Sequence, residues 1–303
     1  MSWVTQDMVV GIDVGGTRIK GVLATPEGDV AAHTVRPTPP RVGERLGEVT
    51  ADIVAELTAQ VAGADPLAVG VVVPGLVDDA GIGVWSANLG WHDLDLRAVI
   101  GVQLNVPVAV GHDVRAGLLA EHRLGAARGV DNVLFVPLGT GLASAILVRG
   151  RPVTGSLWTG EIGHVIVIPD GPLCGCGQRG CLEAVASAGA IGRRWSAATG
   201  LTGDARQVAE RVRAGEVEAT RVWNEAIDAL TRAVAPVVAA VGIELVLIGG
   251  GLVRAGATLL DPLRAELAHR LGDRDVVRVA PAALGDRAGA LGAATIALEL
   301  AGR

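Results

Sequence analysis

Aromatic residues and basic clusters are the two clearest shortages in this 303-residue sequence. Tyrosine is absent and aromatic residues make up only 2% of the chain, so a core must be built mainly from Val, Leu, Ile and Ala. The formal net charge is -6 at pH 7, and Lys and Arg form no run long enough to follow a phosphate backbone. We therefore expect no nucleic-acid partner.

Signals for export or membrane insertion are also missing. Residues 1–7 lack the basic region and apolar stretch that begin a secretory signal peptide. The longest apolar tract, Ala233 to Val253, is interrupted by Pro236, by Glu244 and by glycines, which predicts a helix and a buried strand. We expect a cytoplasmic protein with no membrane partner.

Strand-type and helix-type segments alternate along the chain, which predicts the α/β class. Val9 to Ile12 and Ile19 to Ala24 flank a glycine turn and predict a hairpin. Val133 to Leu138 and Ala145 to Val148 repeat this pattern, which favours an internally duplicated architecture. Further helices are predicted at 47–62, 114–123, 184–199, 205–214, 219–241 and 286–300, and further strands at 68–73, 107–110 and 244–248.

All three cysteines lie between residues 174 and 181, which argues against a disulfide framework. With His164, ten residues earlier, Cys174, Cys176 and Cys181 offer one imidazole and three thiolates. Zn²⁺ takes four such ligands tetrahedrally, and a site with four protein ligands is structural because no position is left for water. The alternative is three unrelated buried thiols and a surface histidine.

Three glycine-rich segments at predicted strand ends are candidates for binding ATP. Their backbone amides can hold phosphate oxygens, and an aspartate in the first can bind the accompanying Mg²⁺. The alternative for each segment is a structural turn. The candidate nucleotide-binding residues are Asp13, Gly15, Gly16 and Thr17, then Gly139, Thr140 and Gly141, and finally Gly249, Gly250 and Gly251.

Asp113 follows a predicted strand and precedes a predicted helix. An aspartate in this position can cap the helix, or it can be the general base that takes the proton of an attacking hydroxyl group. An ordinary carboxylate suffices for phosphoryl transfer, because positioning and charge neutralisation do most of the catalysis. The residues alone leave both interpretations open.

Several segments together resemble the ROK family of repressors and kinases, and within it the bacterial glucokinases. The most specific is Gly160 to His164 followed by Cys174 to Glu183, which is close to the family signature. The resemblance runs from about Val9 to Ala297. It also includes the loops Asp13 to Thr17 and Leu138 to Gly141, Ala87 to Leu89 with Trp91, and Leu284 to Gly289.

The resemblance implies a two-domain, actin-like (ribonuclease-H-like) α/β fold with ATP and sugar in a cleft between the domains. We expect a smaller N-terminal domain at 1–112 and a larger domain at 113–285 that carries the zinc loop. A closing helix at 286–300 is expected to pack back on the first domain. Family members commonly form dimers or tetramers, so a homo-oligomer is also expected.

The resemblance makes Asp113 the catalytic base. It gives His164 two tasks, with one ring nitrogen on zinc and the other toward the sugar, so that a structural zinc would orient a substrate ligand. The predicted substrate-binding residues are Gly75, Asn88, His112, Glu161, His164 and Glu183.

His112 stands where the family usually has an asparagine that contacts the sugar, and an imidazole lacks the paired donor and acceptor of an amide. Trp158 stands where small residues are usual. Both positions belong to the predicted sugar site, so the sequence leaves the sugar open. The 6-hydroxyl group of glucose is the default, and an N-acetylhexosamine, mannose and fructose are alternatives. ATP is the expected donor, with polyphosphate as the alternative.

The predicted activity is ATP-dependent phosphorylation of a hexose hydroxyl group. A repressor of the same family would carry a DNA-binding domain ahead of the kinase-like part, which we do not expect so close before Asp13. A catalytically impaired sugar-binding or regulatory protein is the third hypothesis, because His112 adjoins the expected base. The presence of Asp13, Asp113 and the zinc ligands favours an active enzyme.

Overall fold

The computed structural model describes residues 7–78, 80–86, 89–272 and 277–303. The chain packs into two compact units. The first holds the chain up to Gly125, the segment Thr154–Thr159 and the stretch Asp286–Arg303, and the second holds Ala126–Val153 and Gly160–Gly285. The expected domain boundary between residues 112 and 113 stays a prediction.

The first unit contains strands β1 (Val9–Val14), β2 (Arg18–Ala24) and β3 (Val30–Pro37), helix α1 (Leu46–Ala59), strands β4 (Val69–Val73), β5 (Leu76–Val77), β6 (Ile82–Ser86) and β7 (Trp91–Asp95), helix α2 (Leu96–Gly101), strand β8 (Val108–His112), helix α3 (Asp113–Leu124) and the closing helix (Ala288–Leu300). Its main sheet has the order β3-β2-β1-β4-β8, while β5, β6 and β7 form a small antiparallel sheet. β1 runs antiparallel to β2 and parallel to β4.

Glycines in the strands allow helices to approach both faces of this sheet. A Cβ at Gly11 would lie 2.1 Å from the carbonyl oxygen of Ala290, so the closing helix packs directly on the β1 backbone. Ile12 pairs with Gly21, and a Cβ at Gly21 would lie 2.8 Å from Ile53 of α1. Because consecutive strand residues point to opposite faces, α1 and the closing helix cover opposite sides of the sheet.

The second unit contains strands β9 (Val133–Pro137), β10 (Ala145–Val148) and β11 (Arg151–Pro152), helices α4 (Leu182–Ala186), α5 (Ala188–Thr199), α6 (Ala205–Arg213) and α7 (Val217–Val241), strand β12 (Leu245–Gly249), helix α8 (Ala257–Arg270) and strand β13 (Arg278–Pro281). Its sheet has the order β11-β10-β9-β12-β13 and repeats the strand directions of the first sheet. Trp195 and Trp223 are buried in a core that is otherwise aliphatic.

The two predicted hairpins and the duplicated architecture are confirmed by the paired strand orders. The single helix predicted at 184–199 is wrong, because Ser187 is extended between α4 and α5 and its hydroxyl oxygen accepts a hydrogen bond from the Ala190 amide. A serine favours such a cap over a helix interior. Among the described helices, none has both the length and the hydropathy needed to cross a bilayer.

Candidate active site

Asp13 lies one residue before the end of β1 and is largely buried, with 16% of its side chain exposed. Lys20 pairs with it across the hairpin, with 3.9 Å between Nζ and Oδ2. Burial, together with the negative charge of Asp113, raises the pKa of Asp13 to about 7, although Lys20 acts in the opposite direction. A cation that reaches this buried carboxylate stabilises its ionised form.

Gly289 makes room for the Asp13 carboxylate. A Cβ at this position would lie 2.5 Å from Oδ2 of Asp13, which is closer than nonbonded atoms approach. Gly289 belongs to the first turn of the closing helix, where unpaired amides favour a negative charge. The side chain of Asp13 is therefore fixed between its own hairpin and the start of that helix.

The loop after Asp13 divides into a structural part and an exposed part. The Gly15 amide donates to the carbonyl oxygen of Arg18 at 3.0 Å, and the Thr38 hydroxyl donates to the Gly15 carbonyl at 2.6 Å. Gly16 and Thr17 form the exposed tip of the turn. Of the predicted phosphate-binding positions in this loop, Gly16 and Thr17 are the accessible ones.

β8 ends at His112 and α3 begins at Asp113. His112 is the N-cap, because its Nδ1 accepts a hydrogen bond from the Val114 amide at 3.2 Å. Oδ1 of Asp113 also accepts from this amide, at 2.7 Å, and the Asp113 side chain remains 30% exposed. The capping interpretation thus applies to His112, and Asp113 occupies the first turn of the helix with a partly accessible carboxylate.

Two predicted sugar contacts of the first unit have different outcomes. Gly75 has a φ of +107°, and a Cβ there would lie 2.4 Å from the carbonyl oxygen of Trp85, so this glycine allows β6 to approach closely. Asn88 lies outside the described residues.

In the second unit, Glu183 supports the loop between β9 and β10. Its Oε2 accepts a hydrogen bond from the Leu142 amide at 2.8 Å, and a Cβ at Gly141 would lie 2.8 Å from the same oxygen. Gly139 closes the turn by donating to the Gly141 carbonyl at 3.1 Å. Glu183 therefore fixes this loop with one oxygen, while Thr140 borders a cavity.

The three glycines at the end of β12 also differ in why each position lacks a side chain. A Cβ at Gly249 would lie 2.6 Å from the Phe135 ring, and one at Gly250 would lie 2.4 Å from the Leu138 carbonyl oxygen. Gly250 also has a φ of +74°. Gly251 has no neighbour within 4 Å of such an atom and lines the same cavity as Thr140.

That cavity has a volume of about 1030 Å³ and belongs entirely to the second unit. Its apolar lining comes from α5, α6 and the turn after β12. The residues involved are Ala188, Ala205, Ala209, Leu252 and Ala255. A cavity of this size and mixed polarity is typical of sites for small molecules and cofactors.

His164, Cys174, Cys176 and Cys181 form one cluster, with all four candidate ligand atoms within 4.8 Å of one another. Nδ1 of His164 lies 3.7 Å from Sγ of Cys174, and the sulfur atoms of Cys176 and Cys181 are also 3.7 Å apart. A tetrahedron with bonds of about 2.3 Å has edges of about 3.8 Å. The two distances of 3.7 Å match the edges of such a tetrahedron.

The loop carrying the cysteines is folded tightly by its glycines. The Cys174 amide donates to the Gln178 carbonyl at 2.8 Å, and a Cβ at Gly180 would lie 1.7 Å from the Ile168 carbonyl oxygen. Burial, followed by the neighbouring thiols, raises the pKa of Cys181 to about 12. A bound cation stabilises thiolates in such surroundings, so the residues present fit a zinc ion.

The two ring nitrogens of His164 face different partners. Nδ1 faces Cys174, whereas Nε2 lies 3.8 Å from Oε2 of Glu161. The Glu161 and His164 side chains are 16% and 25% exposed, respectively. One face of this histidine therefore belongs to the sulfur cluster and the other to a carboxylate with access to solvent.

The first unit carries two carboxylates beside a glycine turn, and the second carries glycine turns that border a cavity. The sheets of the two units have the same strand order. This is the two-domain actin-like α/β fold, and solved structures match it over nearly the whole chain. The model of the ROK family matches residues 9–300, so the chain belongs to the ROK family.

Three relatives match this chain over nearly their full lengths. Glucokinase from Thermotoga maritima is 35% identical over 314 aligned residues, covering 97% of this chain and 98% of that protein. The ROK hexokinase structure from Thermus thermophilus has a TM-score of 0.87 and 32% identity, covering 98% and 100% of the two chains. A ROK glucokinase from Streptomyces griseus, solved with glucose and AMPPNP, has a TM-score of 0.80 and 29% identity, covering 96% and 99%.

Sequence reasoning missed several residues that the structure places at these sites. Lys20 and Gly289 contact Asp13 only because of the hairpin register and the return of the closing helix. Arginines that line the cavity were also missed, although Arg206 and Arg213 are seven residues apart on a predicted helix. That spacing places both on one helix face and was a signal available in the sequence.

Proposed function

We propose that this ROK-family chain is an ATP-dependent sugar kinase that phosphorylates a hexose hydroxyl group, with the 6-hydroxyl group of glucose as the default acceptor. The observation that carries the proposal is the pair of carboxylates in the first unit. Asp13 is buried with its pKa raised to about 7, and Asp113 is partly exposed at the start of α3. The first suits a metal ligand and the second a base.

In this mechanism Asp113 accepts the proton of the sugar hydroxyl as its oxygen attacks the terminal phosphorus of ATP. Asp13 would hold Mg²⁺, which would supply charge neutralisation at the phosphates. Lys20, beside Asp13, adds a further positive charge. Amides of Gly16 and Thr17 in the first unit, and the loop around Thr140 in the second, bind phosphate oxygens.

We assign the nucleoside part of ATP to the cavity that Thr140 and Gly251 line. The absence of a side chain at Gly251 lets a ligand reach the backbone there. Glu161 and the Nε2 side of His164 bind sugar hydroxyl groups, as does His112 in the first unit. The four-ligand cluster binds a structural Zn²⁺, which would fix the His164 ring. We further propose a cytoplasmic homo-oligomer.

An assay of sugar-dependent ADP release tests this proposal, run over glucose, mannose, fructose and N-acetylhexosamines. Asp113→Asn should lower kcat by roughly 10²–10⁴-fold because the base is lost. Its sugar KM should change much less, since the amide preserves the shape of the site. Asp29→Asn, at an exposed position of the same unit, serves as the matched control. The absence of ADP release with every sugar, or full activity of Asp113→Asn, would contradict the proposal.

A further inference from the structure

Lys20 is the single lysine of the sequence, which contains 25 arginines. Its ammonium group contacts the buried carboxylate of Asp13, with 3.9 Å between Nζ and Oδ2. The two residues are directly opposite each other in the pairing of β1 with β2, so their side chains share one face of the sheet. In a chain that otherwise uses arginine, the one lysine therefore stands beside the proposed Mg²⁺ ligand.

Lys20 lies on the same side of the sheet as both carboxylates of the proposed mechanism. Asp13 points toward the start of the closing helix. Helix α3, which begins with Asp113, packs on that helix, because a Cβ at Gly292 would lie 2.2 Å from the Ala116 carbonyl oxygen. Burial and the negative charge of Asp113 both raise the pKa of Asp13, whereas Lys20 lowers it. The three charged groups therefore act on one another within the first unit.

The ammonium group of Lys20 suits a change of partner better than a guanidinium group would. Its 3.9 Å separation from Asp13 is longer than a charge-assisted hydrogen bond of about 2.7–2.9 Å. The lysine side chain is 31% exposed. A lysine carries its charge at one point on a flexible stem, whereas an arginine forms a planar, two-bond pair with a carboxylate. Lys20 can therefore neutralise Asp13 loosely and turn to another anion nearby.

We propose that Lys20 neutralises Asp13 before a cation binds, and that it moves to a phosphate oxygen of the donor once a cation takes its place at Asp13. Two cations against one carboxylate repel each other, so Lys20 must give way when the second arrives. Gly16 and Thr17, the proposed phosphate contacts, belong to the same hairpin and bring phosphate within its reach. This inference rests on the proposed kinase activity and makes Lys20 a catalytic residue that touches the donor.

Because Lys20 is the single lysine, its side chain can be observed selectively in the parent protein. Labelling of lysine with ¹³C at Cε gives one resonance from this chain. We expect Mg²⁺ to shift that resonance as Lys20 leaves Asp13. ATP added with Mg²⁺, but without sugar, should shift it further. Adenosine added with Mg²⁺ carries no phosphate and should produce no second shift.

Lys20→Met provides the variant, because methionine has a similar length and no charge. We expect the affinity of the nucleotide-free protein for Mn²⁺, measured by EPR of the unbound ion, to rise roughly tenfold because a neighbouring positive charge is gone. We expect kcat to fall roughly 10–100-fold because a charged contact to phosphate is lost. Arg36→Met is the matched control, since Arg36 of β3 pairs with Glu56 of α1 on the opposite face of the same sheet, and it should change neither quantity.

Sugar-dependent ADP release by a protein whose Lys20 resonance does not respond to ATP overturns this inference and leaves the proposed function standing. A fall in kcat of Lys20→Met without a gain in Mn²⁺ affinity also overturns it, because that result describes a lysine that only supports the fold. The absence of ADP release with every sugar overturns the proposed function and this inference together.

Discussion

His112 is the N-cap of α3 and also one of the proposed sugar contacts. Asparagine is among the best N-cap residues because its side-chain oxygen accepts a backbone hydrogen bond. An unprotonated Nδ1 of histidine can do the same, and His112 does so with the Val114 amide. The helix that carries Asp113 therefore starts at the same place with either residue. Histidine and asparagine differ in the part of the side chain beyond the capping atom, where His112 has an imidazole ring in place of an amide group.

Asp13 is a residue whose ionisation opposes folding. Its pKa is about 7 in the folded chain, whereas the ordinary value for an exposed aspartate, which we take for the unfolded chain, is 3.8. The folded protein therefore binds the proton more tightly. The stability cost is absent below pH 3.8, grows as the pH rises toward 7 and is complete above it. A shift of this size corresponds to a cost on the order of 4 kcal/mol.

Asp13→Asn should therefore be more stable than the parent protein at pH 8 without Mg²⁺, and the gain should shrink toward zero near pH 4. Urea unfolding at several pH values measures this difference, with Asp29→Asn as an exposed control. Added Mg²⁺ should narrow the difference by stabilising the parent carboxylate. A difference that stays constant with pH would show that the burial of Asp13 is not the cause.

At the scale of single elements, the cysteine loop was predictable because its chemistry is local. Ligand type and spacing sufficed to predict a cluster that the structure brings within 4.8 Å. The glycine loops were predicted as a group, but which glycines are structural and which are accessible to a ligand depends on partners that are distant in sequence. Gly249 meets Phe135 and Gly250 meets Leu138, contacts that only strand pairing creates.

Other elements were not predictable from local patterns. Strand β3 alternates in burial, strands β6 and β7 are buried at only a few positions, and none of the three contains a long apolar run. The break between α4 and α5 depends on one serine that caps a helix within a segment of helical composition. In each case tertiary pairing or a single cap outweighed the local propensity.

The cysteine loop should depend on zinc for its order. Cys176→Ser removes the exposed ligand of the cluster, so we expect the zinc content to fall well below one per chain. The sugar KM should rise by roughly tenfold or more, since second-sphere support of a ligand is worth about 10–100-fold, while the ATP KM changes less.

Metal analysis by mass spectrometry and steady-state kinetics measure both effects. Chelation of the parent protein should reproduce the variant, and added Zn²⁺ should reverse chelation only in the parent. A purified parent protein that is fully active without zinc would contradict the expectation.

At the scale of the whole molecule, the first unit is assembled from both ends of the chain. Its sheet forms from residues before 113, yet one face is covered by the closing helix. The contact is intimate, because a Cβ at Gly70 would lie 1.8 Å from the Ala293 carbonyl and one at Gly292 would lie 2.2 Å from that of Ala116. Any residue larger than glycine at position 70 or 292 would force the closing helix to move away.

Deleting residues 286–303 should therefore unfold the first unit and leave the second largely folded. The deletion exposes the apolar face of β1 and β4 and removes the buried Leu291 and Leu298. Hydrogen exchange should show lost protection in β1 and β4, while amides of β9 and β12 stay protected.

A shorter deletion of residues 301–303 provides the control. It removes the exposed pair between Arg303 and Asp7, whose atoms are 2.9 Å apart, and the last backbone hydrogen bonds of the closing helix. Exposed pairs of this kind are worth about 0–1 kcal/mol. Protection in β1 should then stay near its parent value. If β1 and β4 remained protected after the long deletion, the sheet would be stable without its covering helix. The glycine contacts would then be a consequence of packing and not its requirement.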